Sequence, residues 1–433
     1  MTELRQLSFF PNTVRKAKRK RRSGTFVDNM QLPVHRWFRY SAGFSAEWVQ
    51  RLLTELNADD QAPSLVLDPF VGSGTTLLAA DRVGIPGVGV EAHPFVARIA
   101  RAKLLWETPI SEFVERANSV LHRAQSMASI DSQYPEIIHK CFTKDILSRL
   151  DRLRRAWIKE NDNSNASELT WLAVTAILRP TSSAGTAQWQ YILPNKTKKV
   201  VEEPFQAFRS QVYMMRSDMR AFQSRTTETL ATLIEGDARN CPELEENSVD
   251  VVITSPPYTN NYDYADATRF EMSFWGEVQS WADLHKAVRQ YLIRSCSQHA
   301  AKEKLVLEEV LEDEVVVSIR PELSEVCHQL AEERLLHGGR KHYHTMVAAY
   351  FADMSRIWRE LRRVCKPQAK LCFVVGDSAP YGVYVPVDKW LGQLAIDAGF
   401  KSYSFEKLRD RNVKWKNRKH RVPLQEGRLW VNG

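Results

Sequence analysis

The segment Asp250–Tyr258, DVVITSPPY, places two consecutive prolines directly after a short apolar run. The run through Thr254 is typical of a buried parallel strand. Pro256 and Pro257 end this strand, because proline lacks a backbone N–H and restricts the preceding residue to extended conformations. Open α/β folds bind their ligands at the carboxyl ends of parallel strands. The segment therefore predicts an α/β protein with a functional site at this turn.

The turn offers a hydroxyl group from Ser255, carbonyl oxygens and the aromatic ring of Tyr258. These groups suit an exocyclic amino group on a planar base, since the oxygens accept its N–H protons while the ring stacks on the base. The same residues also fit an ordinary loop at the end of a strand. The choice between the two interpretations depends on a second motif upstream.

That motif is Leu65–Thr75, LVLDPFVGSGT. Its apolar start predicts a strand that ends at Asp68-Pro69-Phe70, and Gly72-Ser73-Gly74 leads into a helix beginning near Thr75. Glycines allow the backbone to approach a ligand closely, and a helix N-terminus favours a negatively charged group. A glycine-rich loop alone is weak evidence, so its strand context matters.

Two further predicted strands end in acidic residues. Gly87–Glu91 lies about 20 residues beyond the glycine loop, where a carboxylate commonly binds ribose hydroxyls. Thr232–Ile234 runs into Glu235-Gly236-Asp237. The chain therefore places several functional groups after strands that are expected to share one edge of a sheet.

Together these motifs resemble those of the DNA amino-methyltransferases, which carry a D-P-F-x-G-S-G-T cofactor loop and an S/D/N-P-P-Y catalytic loop. The resemblance implies a Rossmann-like class I methyltransferase, α/β with a mostly parallel seven-stranded sheet, plus a largely helical insertion domain. It also implies methyl transfer from S-adenosylmethionine to the amino group of a flipped base, without a metal. The implied cofactor-binding residues are Tyr40, Phe44, Asp68, Pro69, Phe70, Gly72, Ser73, Gly74, Thr75, Glu91, Asp237 and Ser255, and the implied catalytic residues are Ser255, Pro256, Pro257 and Tyr258.

Within this resemblance each group has a role. Tyr40–Phe44 closes over the methionine end of the cofactor, Glu91 holds the ribose hydroxyls and Asp237 holds the adenine amino group. The Ser255 hydroxyl and the Pro256 carbonyl accept the target amino protons, and Tyr258 stacks on the base. His93 is interpreted as a loop histidine near a helix start, without a ligand role.

Serine at the first position of the catalytic loop favours cytosine N4 as the target, with adenine N6 as the alternative. Two other classes stay open. Related loops also act on RNA bases and on protein amides, and a chain of this fold can serve as a non-catalytic DNA-binding module. Double-stranded DNA is the expected partner, in restriction–modification or phage defence, with a cognate restriction endonuclease as a further candidate.

Composition narrows the setting. The 433 residues carry a net charge of +8 with a pI near 9.1, which favours a polyanionic partner. Six cysteines without CxxC pairs or metal-ligand spacing predict a reduced, cytoplasmic protein. No apolar run is long enough for a membrane span, and the N-terminus does not resemble a signal peptide.

The predicted domain organisation divides the chain into six regions. They are a basic flexible arm (1–30), a first region of the catalytic core with the cofactor loop (31–106), a helical insertion (107–230), a second core region with the S-P-P-Y loop (231–281), a second helical insertion (282–340) and a third core region with a basic C-terminal segment (341–433). This order matches none of the three common permutations of the family cleanly. The first insertion is the candidate region for target recognition.

Several local patterns add expectations. The basic run Arg15–Arg22 is interpreted as a phosphate-contacting arm. Trp189 and Tyr191, followed by lysines, either stack on nucleic acid or belong to a loop packed on the core. The acidic stretch Glu308–Glu314 makes the second insertion the poorer DNA surface, suited instead to covering the cleft or contacting a protein. Glu426–Val431 is expected to be a last edge strand.

Overall fold

The computed structural model describes residues 26–41, 43–57, 63–130, 132–187, 190–225, 228–259, 262–411 and 422–433. Within these ranges a seven-stranded sheet has the order β5-β2-β1-β6-β7-β9-β8, and β3 and β4 form a separate hairpin. The strands are β1 (Val66–Asp68), β2 (Gly87–Glu91), β3 (Ala184–Thr186), β4 (Ile192–Thr197), β5 (Ala231–Glu235), β6 (Val249–Thr254), β7 (Cys365–Gly376), β8 (Ser402–Arg411) and β9 (Leu424–Asn432).

Six strands of the large sheet run in one direction, and β9 is antiparallel to both of its neighbours. Helices connect the parallel strands, as parallel pairing requires. The α-helices are α1 (Ala46–Asn57), α2 (Thr75–Asp81), α3 (Pro94–Leu104), α4 (Ile110–Ser126), α5 (Glu136–Cys141), α6 (Lys144–Glu160), α7 (Asn165–Thr181), α8 (Pro204–Gln223), α9 (Tyr264–Trp275), α10 (Leu284–Ala287), α11 (Ser297–Glu303), α12 (Leu307–Glu312), α13 (Arg320–Leu336), α14 (Tyr343–Val364) and α15 (Val387–Asp397). The predicted Rossmann-like class I methyltransferase architecture is confirmed.

The central strands are buried on both faces because successive side chains point to opposite sides of the sheet. Val251 and Ile253 of β6 pack in a cluster with α1 and α2 residues, including Trp48. Val252, between them, packs in a second cluster with α14 and α15 residues, including Trp358. This two-sided burial explains the continuous apolar run that precedes the prolines.

The prediction of an edge strand at Glu426–Val431 is wrong. β9 covers these residues but lies between β7 and β8, with Gly376 of β7 opposite Glu426. The strand at this edge of the sheet is β8, whose side chains are mostly exposed, and β5 forms the opposite edge. The last segment turns back and inserts between two earlier strands, so its apolar residues are covered from both sides.

The first insertion leaves the core after α3 and returns at β5. It contains α4 to α8 and the β3–β4 hairpin, and its apolar residues share one cluster with the residues around Trp37. Its entry and exit lie together, because the Thr229 N–H donates to Glu107 Oε2 over 3.0 Å. Asp218 of α8 fastens it to the core by accepting from the Trp37 indole at 3.2 Å and from Arg36.

Two helix ends carry typical capping residues. The Ser45 hydroxyl accepts from the Trp48 N–H at 3.3 Å, at the start of α1, and Gly399 follows α15 with a φ of 101°. Residues 1–25 of the predicted arm, including Arg15–Arg22, lie outside the described residues. The arm's last residues belong to a 3₁₀ helix, Phe26–Gln31, in which Asn29 is buried and bonds to Phe44 O and Ala46 N.

Candidate active site

The cofactor loop after β1 contains two glycines with positive φ angles, 55° at Gly72 and 88° at Gly74. This backbone region strains residues that carry a side chain. A Cβ at Gly72 would also lie only 3.2 Å from Cε1 of Tyr40. The glycines therefore allow the sharp turn and bring Tyr40 against the loop.

Glu91, at the end of β2, is held by this loop. Its two carboxylate oxygens accept from the Gly72 N–H and the His93 N–H, each at 2.8 Å. Burial raises the pKa of Glu91 to about 7, and the two backbone hydrogen bonds oppose that shift. The carboxylate is thus fixed in position at the carboxyl edge of the sheet.

Asp68 connects the two motifs. It is fully buried and accepts hydrogen bonds from the hydroxyls of Thr76 and Thr254, both at 2.6 Å. Burial raises its pKa to about 6, while these bonds and one from the Phe70 N–H lower it. Because Thr254 immediately precedes Ser255, the Asp68 carboxyl ties the cofactor loop to the start of the catalytic loop.

The catalytic loop leaves β6 beside the end of β7. The Ser255 hydroxyl donates to the Val374 carbonyl at 3.2 Å, so its oxygen keeps a lone pair as an acceptor even when it accepts from Tyr258. Burial raises the pKa of Tyr258 above its usual value, and a hydrogen bond with Ser255 opposes the shift. Pro256 is buried, whereas Pro257 and Tyr258 are partly exposed.

Asp237 follows β5 and is held by a network of charges. Arg239 donates to both of its carboxylate oxygens, with the shortest contact at 2.6 Å, and the Asp237 side chain stays 39% exposed. Arg239 also pairs with buried Asp353 at 2.9 Å. Arg294 of the second insertion pairs with the same Asp353 oxygen at 2.6 Å. The predicted adenine-binding carboxylate is therefore braced through α14.

These groups surround one cavity at the carboxyl edge of the sheet. The predicted site residues that line it come from the segment before α1, the cofactor loop, the acidic ends of two strands and the catalytic loop. They are Tyr40, Pro69, Phe70, Gly72, Glu91, Asp237, Ser255 and Pro257.

The other predicted site residues do not line the cavity. They are Phe44, Asp68, Ser73, Gly74, Thr75, Pro256 and Tyr258. Phe44 instead packs edge-on against Trp48, with ring centroids 5.9 Å apart. Most of the rest belong to the backbone turns that shape the lining.

Sequence reasoning missed several residues of the lining. His93 lines the cavity, with its Nε2 atom 2.8 Å from the Thr268 hydroxyl. Burial lowers the pKa of His93 to about 3, so the imidazole is neutral. Tyr264 and the residues 291–293 and 295 also line it. For His93, the position directly after a strand and before Pro94 was a sequence signal for a site residue. The segment 291–295 of the second insertion carries no recognisable motif.

The segment 291–295 is anchored by a buried ion pair. Arg289 pairs with Asp263 at 2.7 Å, and the two side chains are 3% and 7% exposed. The Asp263 N–H donates to the Tyr191 hydroxyl at 2.8 Å. Tyr191 therefore packs on the core as a member of a folded loop, while Trp189 lies outside the described residues.

The parallel sheet with its cavity at the carboxyl edge defines a Rossmann-like methyltransferase. Residues 7–102 match the family model described as DNA methylase. The type II methyltransferase M.BsoBI of Geobacillus stearothermophilus is 27% identical over 445 residues, covering 89% of this chain and 82% of that protein. The type II methyltransferase M.AvaI of Nostoc sp. is 25% identical over 413 residues, covering 87% and 81%. The predicted resemblance is confirmed: part of the chain matches the DNA methylase family, and most of it is similar to type II methyltransferases.

The fold can also be compared with a solved structure. The rRNA methyltransferase AviRa from Streptomyces viridochromogenes aligns over 90% of this chain and 85% of its own, at 10% identity and a TM-score of 0.27. Among the helices of the described ranges, none combines the length and apolar character needed to cross a membrane.

Proposed function

We propose that this protein is an S-adenosylmethionine-dependent DNA methyltransferase that methylates the exocyclic amino group of a flipped base, cytosine N4. One observation carries the proposal. A single cavity at the carboxyl edge of the sheet is lined by Glu91 and Asp237 on the strands β2 and β5 side and by Ser255 and Pro257 after β6. Acceptors for a nucleoside and acceptors for an amino group thus share one site.

The cavity residues fit the cofactor. The carboxylate of Glu91 suits the ribose hydroxyls, because it is an acceptor fixed by two backbone N–H groups. Asp237, although held by Arg239, retains exposed oxygen for the adenine amino group. Apolar Phe70 and Ile293 also line the cavity and suit a planar base. Bound S-adenosylmethionine supplies a methyl group on a positively charged sulfonium.

Methyl transfer to an amine is an in-line displacement, in which the nitrogen gains positive charge. Acceptors on the amino group therefore bind more strongly in the transition state than in the ground state. The hydroxyl of Ser255 donates to Val374 O and keeps a lone pair for one amino proton. The carbonyl of Pro256 is assigned the second. This set introduces no buried negative charge, which is why we assign cytosine N4 rather than adenine N6.

A base inside duplex DNA cannot reach such a cavity, so the target nucleotide must leave the stack. Tyr258 is assigned as the aromatic surface on which the extruded base stacks. Because the relatives are named type II methyltransferases, we place the activity in restriction–modification, with a cognate restriction endonuclease as functional partner.

We assign the first insertion to the DNA backbone because of one face of α8. Arg209, Tyr213, Arg216 and Arg220 follow one another at spacings of four, three and four residues, which places them on one side of the helix. All four are exposed, Tyr213 by 71%. Within the described residues the three arginines form no ion pair. This surface, the α8 basic stripe, suits phosphates and an exposed base or sugar.

The test is mass spectrometry of nucleosides from unmethylated DNA incubated with the protein and S-adenosylmethionine. We expect N4-methylcytosine. N6-methyladenine as the only product would overturn the base assignment, and activity on an RNA pool without activity on DNA would overturn the substrate class.

The Ser255→Ala variant tests the catalytic loop. Loss of one acceptor from a desolvated site costs about 1–3 kcal/mol, mainly in kcat. Ser248→Ala is the matched control, because its hydroxyl bonds to the Glu245 carbonyl at 2.7 Å outside the cavity. Full turnover by Ser255→Ala would show that this loop has been misassigned.

A further inference from the structure

Arg411 is the last residue of β8, the edge strand of the sheet. Both β8 and β7 pair antiparallel with β9, so β8 and β7 run in the same direction. The carboxyl end of β8 therefore lies at the same edge of the sheet as the catalytic loop. Although Arg411 comes more than 150 residues after Tyr258 in the chain, the fold brings the two side chains together.

The guanidinium of Arg411 makes three contacts at this edge. Its Nη1 donates to the Asp377 carbonyl at 2.5 Å, and its Nε lies 3.9 Å from Oε2 of buried Glu426. Its Cζ lies 4.9 Å from the centroid of the Tyr258 ring, within the range of cation–π attraction. The Arg411 side chain is only 14% exposed, so it is held in place rather than free in solvent.

Gly376, at the end of β7, provides the space for this side chain. A Cβ at position 376 would lie 2.8 Å from Nη1 and 2.9 Å from Cδ of Arg411. Carbon atoms do not approach other atoms that closely, so a larger residue at position 376 must displace the arginine. The contact with Tyr258 therefore depends on two positions that lie far apart in the chain.

We propose that Arg411 is a positioning residue that acts through Tyr258. The guanidinium covers one face of the ring and restrains its rotation, which leaves the opposite face for the target base. The proposal rests on the proposed function, in which Tyr258 stacks on a flipped base. Arg411 itself contacts neither the cofactor cavity nor the transferred methyl group.

The first test compares steady-state kinetics on unmethylated phage DNA for Arg411→Ala, Arg411→Lys and Gly376→Ala. We expect Arg411→Ala to lower kcat roughly 5- to 30-fold, as loss of a partly buried cation–π contact implies, with unchanged affinity for S-adenosylmethionine. Arg411→Lys should recover only some of this loss, because an ammonium lacks the planar donor fork. Gly376→Ala should lower kcat similarly although the arginine is present.

A double-mutant cycle with Tyr258→Leu separates positioning from a general structural role. If Arg411 acts through the ring, the double variant should be no slower than Tyr258→Leu alone, whereas independent roles would give additive losses. Lys407→Ala is the matched control. Lys407 lies on the same strand, pairs with Asp410 at 2.8 Å and is 52% exposed, so its loss should leave kcat unchanged.

Thermal unfolding and calorimetric titration with S-adenosylmethionine establish that each variant is folded. Additive losses in the cycle, or full kcat in folded Arg411→Ala, would overturn the proposal while leaving the methyltransferase function standing. A wild-type protein without methylation activity on any nucleic acid would overturn both.

Discussion

The two insertions differ in what their charged residues do. In the first, the three arginines of the α8 basic stripe project into solvent without carboxylate partners among the described residues. In the second, Arg289 and Arg294 are paired with Asp263 and Asp353, and the segment between them lines the proposed cofactor cavity. Unpaired cations are available to a polyanion, whereas the paired cations hold the second insertion in place beside the cavity.

The surface acids follow the same division. Glu308, Glu309, Glu312 and Glu314 of the second insertion are exposed and would repel phosphate. Of the two uses expected for this insertion, covering the cleft agrees with its contribution of residues 291–295. The sign of a charge alone therefore does not indicate the role of an insertion; whether the charge is paired does.

The largest effect is expected at Asp353, which fastens the second insertion. Asp353→Ala leaves Arg239 and Arg294 without their shared carboxylate, and removing one partner from a buried ion network costs about 3–5 kcal/mol. The free energy of unfolding from urea titration measures this. Asp397→Ala, which removes a carboxylate 3.9 Å from Arg359, is the control and should cost less than about 1 kcal/mol. A small loss of unfolding free energy in Asp353→Ala would mean that other contacts hold the second insertion in place.

The next largest effect is expected on DNA affinity. Replacing Arg209, Arg216 and Arg220 by Gln should weaken DNA binding by roughly tenfold or more at low salt and reduce the salt slope by about 0.9 for each phosphate that the protein no longer neutralises. Cofactor affinity should stay the same. These constants come from fluorescence anisotropy over a series of salt concentrations.

A second triple variant controls for the loss of net charge. Arg116, Arg123 and Arg155 each pair with a carboxylate on the same insertion. Replacing these three by Gln removes the same charge and should change the salt slope much less. Equal slopes for the two triple variants would show that α8 makes no special contact with DNA.

Cofactor affinity should depend on pH, whereas the contribution of the α8 basic stripe to DNA affinity should not. The pKa of Glu91 is raised to about 7, and only the ionised carboxylate accepts both ribose hydroxyls. S-adenosylmethionine affinity should therefore be full above about pH 8 and fall up to roughly tenfold per unit below pH 7. Calorimetry between pH 6 and 8.5 checks this, and the part of the range above pH 7 isolates Glu91, because Asp68, with a pKa of about 6, protonates only toward the lower limit. Glu91→Gln should bind more weakly, and a Glu91→Gln profile with the same slope would exclude Glu91 as the titrating group.

The smallest effect is expected from the surface acids. Changing Glu308, Glu309 and Glu312 to Gln should raise DNA affinity by less than about threefold at physiological salt, because exposed charges beyond a Debye length are screened. An increase comparable to the loss from the α8 variant would place DNA against the second insertion and reverse the assignment.

The sequence predicted that several candidate site residues follow strands directly. Asp68, Glu91, Asp237 and Ser255 each stand at or just after a buried run, and parallel pairing brings such ends to one edge. Where each side chain points at that edge is determined by tertiary contacts. Asp68 turns away from the cavity because Thr76 and Thr254 satisfy its oxygens from two different motifs, and no spacing in the sequence encodes that choice.

The remaining lining and the strand order could not be predicted in this way. Residues 291–295 reach the cavity because Arg289 pairs with Asp263, just before α9, and Arg294 pairs with Asp353 on α14. Such contacts join segments that are not neighbours in the sequence. The order of β8 and β9 depends on a hairpin that turns back. The polar character of Ser402–Arg411 was a usable signal for the edge, since edge strands are typically polar.

The meeting of the first insertion's two ends at Glu107 and Thr229 has a consequence for how such proteins diversify. Segments whose ends lie close together can be exchanged without moving the scaffold that carries them. A chimera that takes a foreign helical segment between these points should keep the sheet and its chemistry, provided that it supplies an acid for Arg36 and an arginine for Glu271, the anchors now provided by Asp218 and Arg179. The first insertion could then be exchanged as a unit, together with the DNA-backbone contacts proposed for its α8 basic stripe.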